Sequence, residues 1–172
     1  LILHVLRHAP ALDPKVCYGH CDVAVEPLGQ ATKDYLRMCY LQSPAPMWSS
    51  PALRCLEVAR PITPQVCTDE RLRELNFGTW EGIPWLEIPR AESDVWAANW
   101  KIERPPCGET LDEMQARITN FLQDLRSQGP EFWLVTHAGV IRMLRHLLLG
   151  IPMDELMTQV VPHVEIITME AP

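Results

Sequence analysis

Two histidines and two arginines carry most of the chemistry this sequence could do. Arg7-His8 closes the apolar run Leu1–Leu6, and His137 follows the run Phe132–Thr136. Arg54 falls one turn into a helix announced by Ser49-Ser50-Pro51. All four stand at the C-terminal ends of candidate strands, where ligands sit in a parallel α/β sheet. His137 also lies where the next helix points its free N–H groups and the positive end of its dipole. Together they make an anion pocket. A neutral imidazole attacking phosphorus, with guanidinium groups neutralising the phosphoryl oxygens, is phosphoryl transfer through a histidine nucleophile. The leaving alkoxide needs a proton, so a carboxylic acid must stand nearby. Glu74 in Leu72-Arg73-Glu74-Leu75 is one candidate and Glu81 the other, and spacing leaves the choice open. His4 and His8 have metal-like spacing, but no H-E-x-x-H or paired C-x-x-C completes a site, so no metal is expected.

The elements that must position these residues alternate between strand and helix. Leu1–Leu6 and Phe132–Thr136 read as strands buried on both faces, with shorter strands at Pro46–Ser49 and Gln65–Thr68. Val160–Met169 reads as a last strand despite Pro162. Helices are expected over Glu26–Leu41, with Leu28, Ala31, Tyr35, Met38 and Cys39 as its inner face, and over Ala52–Ala59, ended by Pro61. The clearest helix begins at Thr110, where Thr110 and Glu113 form a capping box. Its apolar stripe is Leu111, Met114, Ile118, Phe121, Leu122 and Leu125, and Gly129-Pro130 stops it. A further helix runs from about Gly139 to Leu149, closed by Gly150. This rhythm predicts an α/β domain with a mainly parallel sheet. Residues 82–108 break it, holding Trp85, Trp96, Trp100 and four prolines; they read as a lid over a pocket or a compact surface insertion.

Composition limits the partners. At 172 residues the chain supports one domain, spanning 1–172, with a sizeable core. Its net charge of −7 argues against general nucleic-acid or anionic-membrane binding, so any anion must be held by a local arginine cluster. No apolar run approaches the roughly 18 residues of a membrane span. The six cysteines show no C-x-x-C pair and no secretory signal opens the chain, so reduced thiols in a cytoplasmic protein are expected. The sequence leaves the oligomeric state open.

Four ordered motifs resemble the histidine phosphatase superfamily, the branch containing phosphoglycerate mutases and small-molecule phosphatases. Arg7-His8 is similar to its Arg-His-Gly motif, and Ser49-Ser50-Pro51-Ala52-Leu53-Arg54 to its Ser-Ser-Pro-x-x-Arg segment. Leu72 to Gly82 follows the stretch that carries the family's general acid, and Val135 to Arg142 its second histidine motif. The resemblance covers nearly the whole chain and implies a three-layer α/β/α sandwich. It implies His8 as the phosphorylated nucleophile, Arg7, Arg54 and His137 as the rest of the phosphate pocket, and Glu74 rather than Glu81 as the acid. It also implies that no metal or organic cofactor is needed. Ala9 in place of the family's glycine, and Pro10-Ala11 in place of the frequent Glu-Thr, alter the loop beside the nucleophile.

Cys17-Tyr18-Gly19-His20-Cys21-Asp22 is similar to the α-ribazole phosphatases of cobalamin synthesis. This resemblance implies α-ribazole 5′-phosphate, or the corresponding cobamide phosphate, as substrate, with Tyr18, Gly19 and His20 as substrate contacts. Tyr18 and the lid tryptophans suit an aromatic base, which they can stack on. A broad-specificity phosphatase and a phosphoglycerate mutase are the rivals within the family, although the short chain favours hydrolysis. A phosphate-binding module without turnover is the rival from another class; the intact His8, Arg54, Glu74 and His137 count against it.

Overall fold

The computed structural model describes residues 1–171. The chain runs β1 (Ile2–Arg7), α1 (Gln30–Gln42), β2 (Met47–Ser49), α2 (Leu53–Ala59), β3 (Val66–Thr68), α3 (Arg90–Ala98), α4 (Leu111–Gln128), β4 (Glu131–Thr136), α5 (Ala138–Leu149), α6 (Met153–Thr158) and β5 (Ile167–Glu170). The strands form one sheet in the order β3-β2-β4-β1-β5, parallel except for the antiparallel edge strand β5. This is the expected three-layer α/β/α sandwich.

Alternation along the central strands builds both halves of the core. Leu3, Val5, Phe132 and Leu134 face one layer, packing with Met114, Ile118, Phe121, Ile141 and Leu144 of α4 and α5. Leu6, Trp133 and Val135 face the other, against Leu36 of α1 and Cys55 and Val58 of α2. A fully buried side chain of this size contributes roughly 1.5–3 kcal/mol, and truncating Leu134 to alanine costs about 2–5 kcal/mol. Helix α4 starts with the expected capping box between Thr110 and Glu113.

Register sets the functional edge. Arg7 pairs with Thr136 and Ser49 with Val135, so β1, β4 and β2 finish level with one another. His8 N donates to Thr136 O at 3.0 Å and Ser50 N to Val135 O at 2.9 Å, carrying the ladder one residue past the strands. The residues following three strands therefore converge on one spot.

Three expectations need correction. The last strand is only Ile167–Glu170, because residues 160–166 are drawn across the ends of the central strands. There Val161 O accepts from Arg7 Nη1 at 2.8 Å and Val164 N donates to Arg7 O at 3.0 Å. Helix α1 begins at Gln30 rather than Glu26, since Glu26 N is bonded to Pro10 O. Its inner face is Leu36, with Leu28, Cys39 and Tyr40 beside it, while Tyr35 and Met38 are exposed. Helix α6 was not anticipated. The 82–108 segment holds α3, none of whose residues is buried. It is fastened by a small cluster of Cys17, Trp80 and Ile88, and by Trp80 Nε1 donating to Glu92 Oε2 at 3.0 Å. All six cysteines are free thiols.

Candidate active site

His8 leaves the end of β1 with its ring buried. A carbonyl only accepts, so the 2.7 Å contact to Ala9 O requires a proton on Nδ1 and leaves Nε2 with its lone pair. Burial, together with the nearby Arg54 and Arg7 guanidinium groups, pushes the His8 pKa down to about 3. The ring is thus neutral and nucleophilic at ordinary pH. The acceptor is a backbone carbonyl, so the alanine side chain at position 9 does not interfere with this bond. The altered loop that follows is held by Pro10 O accepting from Glu26 N and by an antiparallel bridge between Ala11 and Val25.

Arg54, on α2, is wholly buried. It donates from Nη1 to Cys21 O at 2.8 Å, from Nη2 to Gly19 O at 2.5 Å, and from Nε to His137 Nδ1 at 3.3 Å. A guanidinium has five N–H groups, so one on each terminal nitrogen remains for an anion. Because Arg54 only donates, His137 Nδ1 accepts, and Nε2–H is left to donate to Ser50 Oγ at 2.9 Å. Burial and the adjacent Arg54 charge keep His137 far below its ordinary pKa, hence neutral. Its ring lies 5.2 Å from that of His8. Arg7 completes the cluster. Its Nε is buried without a partner among the described residues, an arrangement that costs stability unless a ligand supplies an acceptor.

The two candidate acids separate cleanly. Glu74 accepts from Leu75 N at 3.0 Å and, at the first turn of α5, from Gly139 N at 3.0 Å. A side chain at Gly139 would collide with the Glu74 carboxylate, which explains the glycine. Glu74 and Arg7 both border a largely apolar cavity. Glu81 does not border it and is committed elsewhere. It accepts from His20 N at 2.8 Å, Phe77 N at 3.0 Å and Cys21 N at 2.5 Å. Burial alone would raise its pKa; these backbone bonds outweigh burial and hold it below the usual carboxylate range. Glu81 thereby fixes the loop whose carbonyls hold Arg54.

Tyr18 lies beside the nucleophile, its ring centroid 6.3 Å from that of His8, with Arg54 Cζ 5.3 Å from its centre. Gly19 and His20, expected to touch substrate, do not line the cavity. Gly19 holds Arg54 through its carbonyl, and a Cβ there would strike Leu75 O and Glu81. His20 Nε2 donates to Glu74 O at 3.0 Å, behind the acid.

His163 was read as part of the last strand. It stands instead in the loop over the site, donating from Nδ1 to His8 O at 2.6 Å with its ring 5.5 Å from the His8 ring. The next residue, Val164, has φ +58°, a left-handed conformation costly for a β-branched side chain. Pro162 before the histidine was the one sequence signal that the strand was broken. Arg117 was also overlooked; an arginine between Met114 and Ile118 on the apolar stripe of α4 was the clue.

The cavity, about 240 Å³, opens beside Glu74. Its walls are mainly apolar, with Phe77, Trp85, Trp96, Trp100, Met114 and Met157 prominent, and Arg142 as a second cation. Among the described residues no group of three or more His, Cys, Asp or Glu side chains is placed to share a metal ion.

A buried neutral histidine near two guanidinium groups, with a carboxyl lining a neighbouring cavity, is the arrangement of a histidine-dependent phosphatase. The chain belongs to the histidine phosphatase superfamily, branch 1, whose family model matches residues 3–171. A Hydrogenobacter thermophilus protein with the provisional name phosphoserine phosphatase 2 is 31% identical over 166 residues, covering 90% of this chain and 81% of its own. The α-ribazole phosphatase of Shigella flexneri superposes with a TM-score of 0.83 at 20% identity, covering 98% of this chain and 89% of its own. A mycobacterial glucosyl-3-phosphoglycerate phosphatase gives 0.79 at 22% identity, over 97% and 88%. At these identities the two structures establish the shared fold. No helix among the described residues is long and apolar enough to cross a membrane.

Proposed function

We propose that this protein is a phosphomonoester hydrolase that works through a phosphohistidine at His8. The His8 Nε2 lone pair attacks phosphorus while Arg7 and the free N–H groups of Arg54 hold the phosphoryl oxygens; His137, its Nε2–H given to Ser50 Oγ, accepts from Arg54 through Nδ1 and steadies that guanidinium. As the P–O bond to the leaving group breaks, the Glu74 carboxyl gives its proton to that oxygen and the alcohol departs. Glu74, now a carboxylate, takes a proton from water; the resulting O–P bond replaces the N–P bond, releasing phosphate and restoring His8. The observation that carries this reading is the His8 ring itself, neutral, tied at Nδ1 and free at Nε2.

For the substrate we propose α-ribazole 5′-phosphate or the corresponding cobamide phosphate. Support comes from the aromatic walls beside Glu74, where Trp85, Trp96 and Trp100 can stack on a flat base. A second reading, phosphoserine, rests on the Hydrogenobacter relative and on Arg142, a guanidinium facing the same cavity that suits a substrate carboxylate. Phosphate release from α-ribazole 5′-phosphate, phosphoserine, 3-phosphoglycerate and p-nitrophenyl phosphate, all in EDTA, separates these. A kcat/KM for the riboside about 100-fold above the others corresponds to about 2.7 kcal/mol of selective transition-state binding and supports the first assignment. A phosphoserine preference of similar size replaces it with the second. Equal slow rates on all four leave the histidine chemistry and refute both substrates.

A further inference from the structure

Glu74 lies in no helix or strand; the segment from Arg73 through Phe77 has no ladder to hold it. A proton donor must nevertheless be fixed within a fraction of an ångström of the leaving oxygen to be effective. The structure assigns that task to an ion pair outside the cavity. Arg117 Nε donates to Glu109 Oε1 at 2.6 Å, and Nη2 to Glu109 Oε2 at 2.8 Å, a bidentate fork. The remaining N–H groups reach the acid's own backbone. Nη1 donates to Arg71 O at 2.5 Å and to Arg73 O at 2.7 Å, and Nη2 to Glu74 O at 3.0 Å. All five guanidinium donors are therefore engaged, three of them on carbonyls of residues 71–74.

Glu109 closes the clamp from the other side. Its backbone N donates to Asn76 O at 2.9 Å, and its Oε2 accepts from Asn76 N at 3.3 Å. The two side chains retain only 17% and 14% of their exposure, so this is no loose surface pair. Neither residue lines the cavity, whereas Met114, one turn earlier on α4, does. We propose that Arg117 and Glu109 are positioning residues for the acid: they transmit the rigidity of α4 to Glu74 and leave the phosphate pocket alone. A lysine at 117 keeps the charge but has at most three donors and no fork, so it cannot reproduce the five bonds.

This inference rests on Glu74 being the proton donor, and leaving-group chemistry tests the two ideas separately. An alkyl phosphate needs its leaving oxygen protonated, whereas p-nitrophenolate leaves with little help. For Arg117→Lys and Glu109→Gln the proposal expects kcat/KM to fall about 30-fold or more on an alkyl phosphate, at least tenfold more than on p-nitrophenyl phosphate. The inhibition constant of inorganic phosphate should stay within about twofold of the parent's, because the phosphate pocket is untouched. Glu74→Gln, run alongside, should show the same bias more strongly. If Glu74→Gln shows no bias, the assignment of the acid fails. If it does but the clamp variants lose both esters equally, lose phosphate affinity or lose nothing, the positioning role is overturned. Circular dichroism identifies any variant that does not fold; Glu109→Gln, which keeps the side chain's shape, then decides for the pair, and misfolding of both variants counts as a global structural role and against the proposal.

Discussion

In the mechanism proposed above, the phosphate end and the leaving-group end of the site are built on opposite principles. At the phosphate end His8, Arg54 and His137 are buried and each is held by named hydrogen bonds. At the other end the cavity is walled largely by apolar side chains, several from a segment whose helix α3 buries none of its residues. Leu86, next to Trp85, is 93% exposed. Hydrogen bonds demand particular partners at particular distances, whereas apolar contacts tolerate exchange at similar volume. The first end therefore fixes one reaction, and the second can accept different leaving groups as its walls change.

The sharpest way to break the comparison is at the phosphate end. His8→Ala should lower phosphate release by about 10⁴-fold or more on every ester, since the nucleophile itself is lost. A loss that varies strongly with the leaving group would show that the two ends are not separable. Arg54→Ala comes next, with about 10³-fold lost in kcat/KM. Because Gly19 O and Cys21 O would then lack their donor, the variant should also unfold at lower denaturant, by about 1–3 kcal/mol.

At the cavity end the expected effects are smaller and selective. Trp100→Ala should cost about three- to tenfold in kcat/KM for an aromatic riboside phosphate, the size of an aromatic contact. Steady-state rates on phosphoserine should move less, and inhibition by inorganic phosphate should not change. Equal losses on all substrates would make Trp100 part of the scaffold rather than a wall that selects.

The last prediction concerns stability against pH rather than rate. His8, His20, His137 and His163 are all held below the ordinary histidine pKa, chiefly by burial. Below about pH 6.5 the unfolded chain binds more protons than the folded one, so stability should fall as pH drops. Glu81 adds to this in a lower window. Its folded pKa lies below its unfolded value, so its stabilisation is present above about pH 4.5 and is lost on acidification through the folded pKa. A melting temperature followed from pH 7 to pH 4 should decline throughout, and Glu81→Gln should flatten only the acid end. A curve flat to pH 4 would contradict the neutral, buried histidines.

What the sequence revealed follows from the same contrast. The central strands carry nearly continuous apolar runs and α4 a long apolar stripe behind a capping box, so their placement, and with it the edge holding Arg7, His8 and His137, could be read directly. Residues 160–166 also look like a strand, yet their backbone is claimed by Arg7, a long-range contact with no local pattern. The inner face of α1 was displaced because Tyr35 and Met38 are apolar enough to suggest burial but face outward. Glu74 and Glu81 share one short segment and differ only in their partners. Those partners, Gly139 for one and the 17–22 loop for the other, meet them only in the folded chain. The Arg117–Glu109 clamp was hidden for the same reason: an arginine inside an apolar stripe signals a buried partner without naming it.

The most direct test of the account is to look for the covalent intermediate. The protein should be mixed with substrate, quenched in alkali, where an N–P bond survives, and mapped by peptide mass spectrometry. The account predicts one phosphoryl group, on His8, absent from His8→Ala. Phosphate on another residue, or label that persists in His8→Ala, would contradict it.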